Sequence, residues 1–420
     1  MKRSEQDYIN NTIIDGMAND NNKPFWKYIK SKRRDNVGIS PLKQNGSLVC
    51  EASRKAEILL NQFSSVFNTE TTGGVYPYPR RDLTLLPPLV ITSNGVTKLL
   101  ENINITKASG PDNLPNIYLK ACAQQLAPGL SQIFAKSVIT GQLPEDWRDA
   151  IVAPIFKKGN VHLAENYRPV SLTSVISKLL EHIICKHILD HLDRNNILTT
   201  LNHGFRKGFS CETQLLVTMD DLLEQYDKNI QTDVIILDFS KAFDTVPHKK
   251  LLHKLQGYGI NGNILKWTES FLTQRRMHVV VDGETSEYAP VLSGVPQGTV
   301  LGPLLFLCYI NDLPGCVSSQ LVRLFADDCL LYRPIRKQSD HTALQQDLCS
   351  LVSWADTWGM SFNSEKCYTL SSRNKSSYFY SINDNILKRV KSSPYLGVTI
   401  SEDYKWSTHI NKKLLKQAPC

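Results

Sequence analysis

Three aspartates, two of them adjacent, are the residues of this chain best suited to chemistry. The segment from Leu321 to Tyr332 sets Asp327-Asp328 between short apolar runs, which predicts a β-hairpin with both acids at its turn. Two carboxylates at one turn repel each other unless a cation sits between them, and a divalent metal ion is the usual solution. A third carboxylate is then expected, and Asp238 is the candidate. It closes the run Val234-Ile235-Ile236-Leu237, whose unbroken, β-branched character suits a central strand buried on both faces. A strand end holds a ligand on rigid backbone, whereas a lone Asp elsewhere is more often a cap or a turn residue.

Other elements must stand around these acids. After Asp238 comes a compact turn carrying Phe243, by itself an ordinary core residue, and Pro247 fits the start of a helix running to Gly257. The stretch from Ser293 to Pro303 is a Gly-rich loop opening a nearly all-apolar helix to Pro314, and its glycines allow backbone to approach a ligand. Upstream, the apolar run 150–156 predicts a strand that delivers Lys157 and Lys158 to a turn at Gly159-Asn160. A second strand follows over 166–172, then a long amphipathic helix from Ser174 to His191. Between Ile105 and Trp147 a Gly110-Pro111-Asp112 turn precedes helices that end at Pro144.

Composition sets the class. The chain has 420 residues, 41% hydrophobic and 21% charged, which is ordinary globular composition with enough length for two or three subdomains. Its net charge is +8, and residues 365–420 alone carry ten Lys/Arg against four Asp/Glu, which points to a polyanionic partner at that end. Ten cysteines form no C-x-x-C pair, so they read as reduced, mostly buried small hydrophobes. No apolar leader opens the chain, and its longest apolar stretch, 300–310, is far short of the roughly 20 residues that span a bilayer. Neither secretion nor membrane insertion is expected.

The order and spacing of six blocks resemble the reverse transcriptases of non-LTR (LINE-type, jockey-like) retrotransposons. They are Lys157-Lys158-Gly159, the run Asn166 to Leu172, His203-Gly204-Phe205-Arg206, the run Leu237 to Asp244, Gly294-Val295-Pro296-Gln297-Gly298, and Phe325-Ala326-Asp327-Asp328. The resemblance covers roughly residues 105–400. It implies an α/β (α+β) right-hand polymerase, with fingers and a palm built on an antiparallel sheet backed by helices. It also implies an RNA-directed DNA polymerase that adds dNTPs to a primer 3′-hydroxyl. Asp238, Asp327 and Asp328 would hold two Mg²⁺ ions, with Mn²⁺ as the substitute, helped by the backbone carbonyl of Phe239. Such ions sit roughly 4 Å apart and act on an in-line attack at the α-phosphate.

The same resemblance assigns Lys157, Lys158 and Arg168 to the triphosphate, for which a compact charge and a planar fork are suited. Phe243 would exclude the 2′-hydroxyl of a ribonucleotide, and Gln297 and Gly298 would contact nucleotide and template. Lys366 matches a lysine that protonates the leaving pyrophosphate, although an exposed lysine beside a turn is usually only solvated. Tyr395, Leu396 and Gly397 match a primer grip, and otherwise read as an edge hairpin. Lys107-Ala108-Ser109-Gly110-Pro111-Asp112 matches a block where template RNA contacts are expected, and otherwise reads as a plain turn.

The expected organisation is a linker or N-terminal extension over 1–75, containing one helix from Ala52 to Val66 and a basic cluster at Lys30, Lys32, Arg33 and Arg34. A helical extension follows over 76–145, fingers and palm over 146–400, and the start of a truncated thumb over 401–420, as in a fragment without its endonuclease. Its partners would be RNA template, DNA primer, RNA/DNA hybrid and dNTPs, with no membrane. Enzymes of such elements act on chromosomal DNA, which implies nuclear access for the parent protein. The competing readings are a truncated or domesticated derivative that binds RNA or hybrid without turnover, and an RNA-dependent RNA polymerase, which a bulky Phe243 disfavours.

Overall fold

The computed structural model describes residues 9–14, 24, 38–68, 84–318, 321–373 and 375–417. The basic cluster at 30–34 lies outside them. The fold is mixed α/β and is organised around two five-stranded sheets.

The first sheet runs in the order Lys388–Arg389, Tyr368–Ser371, Gln231–Asp238, Asp328–Ile335, Val322–Phe325. Its neighbours are antiparallel except at the 388–389 edge. Gln231–Asp238 is the middle strand, and Val234, Ile235 and Leu237 are almost fully buried, as their β-branched and apolar character demands. Behind it pack the Gln338–Trp358 helix and the Leu301–Ile310 helix, of which nine of ten residues are buried. That helix is short and buried all round, so it is a core element; among the described residues no helix is long and apolar enough to cross a membrane.

The second sheet pairs Asp149–Phe156 antiparallel with Tyr167–Leu172 and parallel with Arg276–Val281. The strand that leads into Lys157 and Lys158 therefore lies between partners from both sides of the first sheet's middle strand in sequence. The helix expected from Ser174 spans Val175–Arg194, with the Ser174 hydroxyl accepting the Ser177 N–H at its N-terminus.

Residues 38–68 are not a free linker. The helix expected there is present as Ala52–Ser64, and its buried Ala56, Leu59, Leu60 and Phe63 form one core with Val152, Tyr167, Met277, Val279 and Val281 of the second sheet. Lys55 Nζ is buried against Asp282 at 2.7 Å and the Ile39 carbonyl at 2.6 Å. The segment ends on Asn68, whose side-chain amide donates to the carbonyls of Thr245 (2.6 Å) and Gly359 (2.8 Å), while its N–H donates to Ser293 Oγ (2.8 Å). Leu59 is fully buried, so Leu59→Ala should cost about 2–5 kcal/mol in urea unfolding. A loss below about 1 kcal/mol would mean that the helix is not docked in solution.

Candidate functional site

The three aspartates meet where the middle strand of the first sheet ends and its neighbour begins. Asp328 begins its strand directly opposite Asp238, which ends the neighbouring one, and Asp328 also faces Phe325 across a two-residue turn of Ala326 and Asp327. Asp327 and Asp328 open to solvent, as does Asp238, 42% exposed. Surrounding protein and like charge oppose ionisation. Although both side chains reach solvent, neighbouring protein atoms strip part of the water from their carboxyls: that partial desolvation, then Asp327, then Asp238, push Asp328 up to about 6, and partial desolvation and Asp238 raise Asp327. Among the described residues no three His, Cys, Asp or Glu side chains form a ready chelate. The donor set nonetheless suits Mg²⁺, which takes hard oxygens and keeps positions open for phosphate and water.

The raised Asp328 group has a testable sign. Its folded-state value, about 6, exceeds the ordinary 3.8, so the stability it lends the metal-free protein is present at low pH and lost as pH rises through about 6. The melting temperature of the protein relative to Asp328→Asn should fall between pH 4 and 7, and Mg²⁺ should recover part of that fall at neutral pH. A pH-independent difference would remove the like-charge account.

Cations stand across the cleft. Lys366 Nζ lies 3.9 Å from Asp238 Oδ2. It is held there by the segment 361–367: Asn363 N–H donates to the Asp238 carbonyl and Ser240 N–H to the Ser361 carbonyl, both at 2.8 Å. These bonds flank the Phe239–Phe362 bridge, whose rings stack at 4.3 Å, and leave the Phe239 carbonyl outside the bridge's own hydrogen bonds. From the second sheet, Lys157 sits within reach of the charges of Arg168, Asp238, Lys366 and Lys158. Burial foremost, then Arg168, lower its pKa, and Asp238 opposes them. Arg168 and Lys157 in turn act on Asp327 and Asp328. Lys158 is exposed beside Gly159, at φ +92°, where the chain turns against Asn166.

Phe243 is half-buried, its ring stacked on Phe306 at 4.3 Å and edge-on to the exposed Phe205 at 6.1 Å. The Gly-rich loop clamps its backbone, since Val295 N–H donates to the Phe243 carbonyl at 2.7 Å. A Cβ on Gly294 would lie 2.7 Å from that same oxygen. Gln297 Nε2 donates to Asp244 Oδ1 at 2.8 Å, and burial raises the Asp244 carboxyl. Gly298, at φ +99°, packs against Ser171, and Ser171 N–H donates to the Gln297 carbonyl at 2.9 Å. The loop thus ties the Phe243 turn to the strand bearing Arg168.

Tyr395 to Gly397 form the tip of the 392–401 hairpin, with Leu396 at φ +46° and Gly397 at φ +86°. Positive φ at both turn residues is what favours the glycine, since nothing lies within 4 Å of a Cβ there. Tyr395 is buried, and burial foremost, with smaller contributions from Cys329 and Asp328, raises its phenol. The Lys107–Asp112 block abuts the Val175–Arg194 helix: Asp112 Oδ2 accepts from Ser174 Oγ at 2.6 Å, and Lys107 is close in charge to Lys178 and His182.

Glu181 was invisible from the sequence as a supporting residue. It is fully buried, and its Oε2 accepts from Val300 N–H (2.8 Å) and Leu301 N–H (3.1 Å), capping the helix that follows the Gly-rich loop. Burial raises its pKa, opposed by those two N–H groups and by Arg275. A charged residue on the apolar side of an amphipathic helix is the signal that could have marked it.

A family model described as "Reverse transcriptase (RNA-dependent DNA polymerase)" matches residues 155–400. The "RNA-directed DNA polymerase from mobile element jockey" of Drosophila melanogaster is 27% identical over 95% of this chain and 46% of that protein. The "Probable RNA-directed DNA polymerase from transposon BS" of the same organism is 27% identical over 92% of this chain and 45% of that protein. The chain thus spans about half the length of these relatives. Among solved structures, apo telomerase from Candida tropicalis overlays 66% of this chain and 59% of its own, with 12% identity and a TM-score of 0.43.

Proposed function

Because the chain belongs to the reverse transcriptase (RNA-dependent DNA polymerase) family, we propose that it extends a DNA primer on an RNA template with deoxynucleotides. The observation that carries this reading is the pairing of Asp238 with Asp328 at one strand end, with Lys157, Arg168 and Lys366 arrayed against them. Asp238, Asp327, Asp328 and the Phe239 carbonyl would hold two Mg²⁺ ions. Bound there, the ions would make a primer 3′-hydroxyl easier to deprotonate and offset charge on the phosphates.

The chain's own residues do the rest. Lys157, Lys158 and Arg168 draw the triphosphate into the cleft, the arginine gripping two oxygens and the lysines acting as point charges. Phe243 stands as a wall beneath the sugar. Gln297 and Gly298 position nucleotide and template through backbone, the Gln297 amide being engaged by Asp244. Lys366 donates a proton to the departing pyrophosphate. The tip Tyr395-Leu396-Gly397 abuts the primer end, and the exposed Lys412 and Lys413 of the Ser407–Gln417 helix face nucleic acid backbone. Residues 146–400 make up fingers and palm in this reading, and access to chromosomal DNA requires that the parent protein enter the nucleus.

The test is incorporation of labelled dNTPs on an RNA template with a DNA primer in Mg²⁺, beside an Asp327→Ala control. Extension that the control lacks supports polymerisation. Hybrid binding with no extension above the control would leave a protein that binds without turnover.

A further inference from the structure

We infer that Asn202 is the positioning residue that sets the backbone of the Asp327-Asp328 turn, an assignment that rests on the carboxylate site proposed above. The turn needs such support. Ala326, which precedes the two acids, sits at φ +54°, a left-handed conformation that a residue with a Cβ adopts only when its surroundings hold it there.

Asn202 is what holds it. The side chain is buried, 3% exposed, and its Oδ1 accepts from two backbone donors, Ala326 N–H at 3.2 Å and Gly204 N–H at 3.0 Å. The backbone on either side is hydrogen-bonded to the strand that enters the turn. Leu324 N–H donates to the Leu201 carbonyl at 2.9 Å, and His203 N–H to the Leu324 carbonyl at 3.2 Å, making a parallel bridge between Asn202 and Leu324. Residues 201–203 therefore lie against the outer edge strand of the first sheet through this single bridge. Gly204 then passes so close that a Cβ would lie 2.4 Å from Ala326 N.

The brace is itself anchored. Arg206 Nη1 donates to the Thr199 carbonyl at 2.7 Å, and His203 Nδ1 lies 2.9 Å from Thr213 Oγ1, part of the capping box of the Cys211–Asp227 helix. An amide oxygen is the fitting acceptor. It satisfies two N–H groups without adding a fourth carboxylate behind three that already repel one another. Residues one layer behind a metal's ligands govern its affinity by fixing ligand orientation.

The experiment is Mn²⁺ binding to the full chain, without nucleotide, followed by electron paramagnetic resonance and read beside thermal unfolding. Asn202→Ala should weaken Mn²⁺ binding by about 10-fold or more. Adding Ala326→Gly should restore much of it, since glycine takes φ > 0 unaided. Should the alanine variant not fold, Asn202→Ser, whose shorter hydroxyl cannot span both donors, should shift affinity in the same direction. Unchanged affinity in the folded variant, or a lower melting temperature with unchanged affinity, would overturn the assignment while Asp327→Ala still abolished binding. Mn²⁺ binding that survived Asp327→Ala would instead remove the carboxylate site, and this assignment with it.

Discussion

Asp327→Ala should reduce deoxynucleotide incorporation by roughly 10³-fold or more, the order lost when a group that offsets charge is taken from phosphoryl transfer. The fold should tolerate the change. Asp327 sits at an exposed hairpin tip, and its charge is one of those that oppose ionisation of Asp328, so its removal relieves repulsion in the metal-free protein. Lys157, Arg168 and the basic C-terminal helix are left intact, so affinity for an RNA/DNA hybrid should change little. Primer extension gives the first quantity and filter binding the second. Incorporation within ten-fold of the unsubstituted protein would exclude Asp327 from the chemistry.

Phe243→Ala should raise the use of ribonucleotides relative to deoxynucleotides by about 100-fold, the scale of discrimination that pocket shape alone supplies. A steric wall works only if it cannot yield. The Phe243 ring is stacked on buried Phe306 and met edge-on by Phe205, and its carbonyl is fixed by Val295 N–H, so both the side chain and its backbone are constrained. Alanine leaves the loop clamp in place and removes only the ring. Competing labelled dNTP and rNTP of one base in single-nucleotide extension gives the ratio directly. A ratio unchanged in a variant that still extends primers would take Phe243 out of sugar selection.

What could be read from the sequence was local. The run 234–237 announced a buried strand, and the short apolar runs on either side of Asp327-Asp328 announced a hairpin, because each depends on neighbours within a few residues. The facing of Asp238 and Asp328 is a pairing between residues 90 positions apart in the chain, and register of that kind is decided by tertiary packing. Residues 38–68 looked irregular for the same reason. Leu42, Leu59 and Phe63 have their partners at 152, 167 and 277–281, so the apolar face had no visible counterpart nearby. Gln297 was expected at the nucleotide, yet its amide serves Asp244, a contact that depends on how the Gly-rich loop folds over the Phe243 turn. Glu181 stands on the apolar side of its helix, but the donors it serves, Val300 and Leu301 N–H, are brought to it only by tertiary packing.

The docking of residues 38–68 decides where a recombinant fragment can begin. The family match starts at 155 and the strand leading into Lys157 at 149, so either position invites trimming. A protein cut there would bare Met277, Val279 and Val281 to water and lose the three hydrogen bonds through which Asn68 joins the second sheet's partner helix to Thr245, Ser293 and Gly359. Such a piece would expose a greasy strand surface and tend to aggregate. The smallest unit worth expressing therefore starts at or before residue 38.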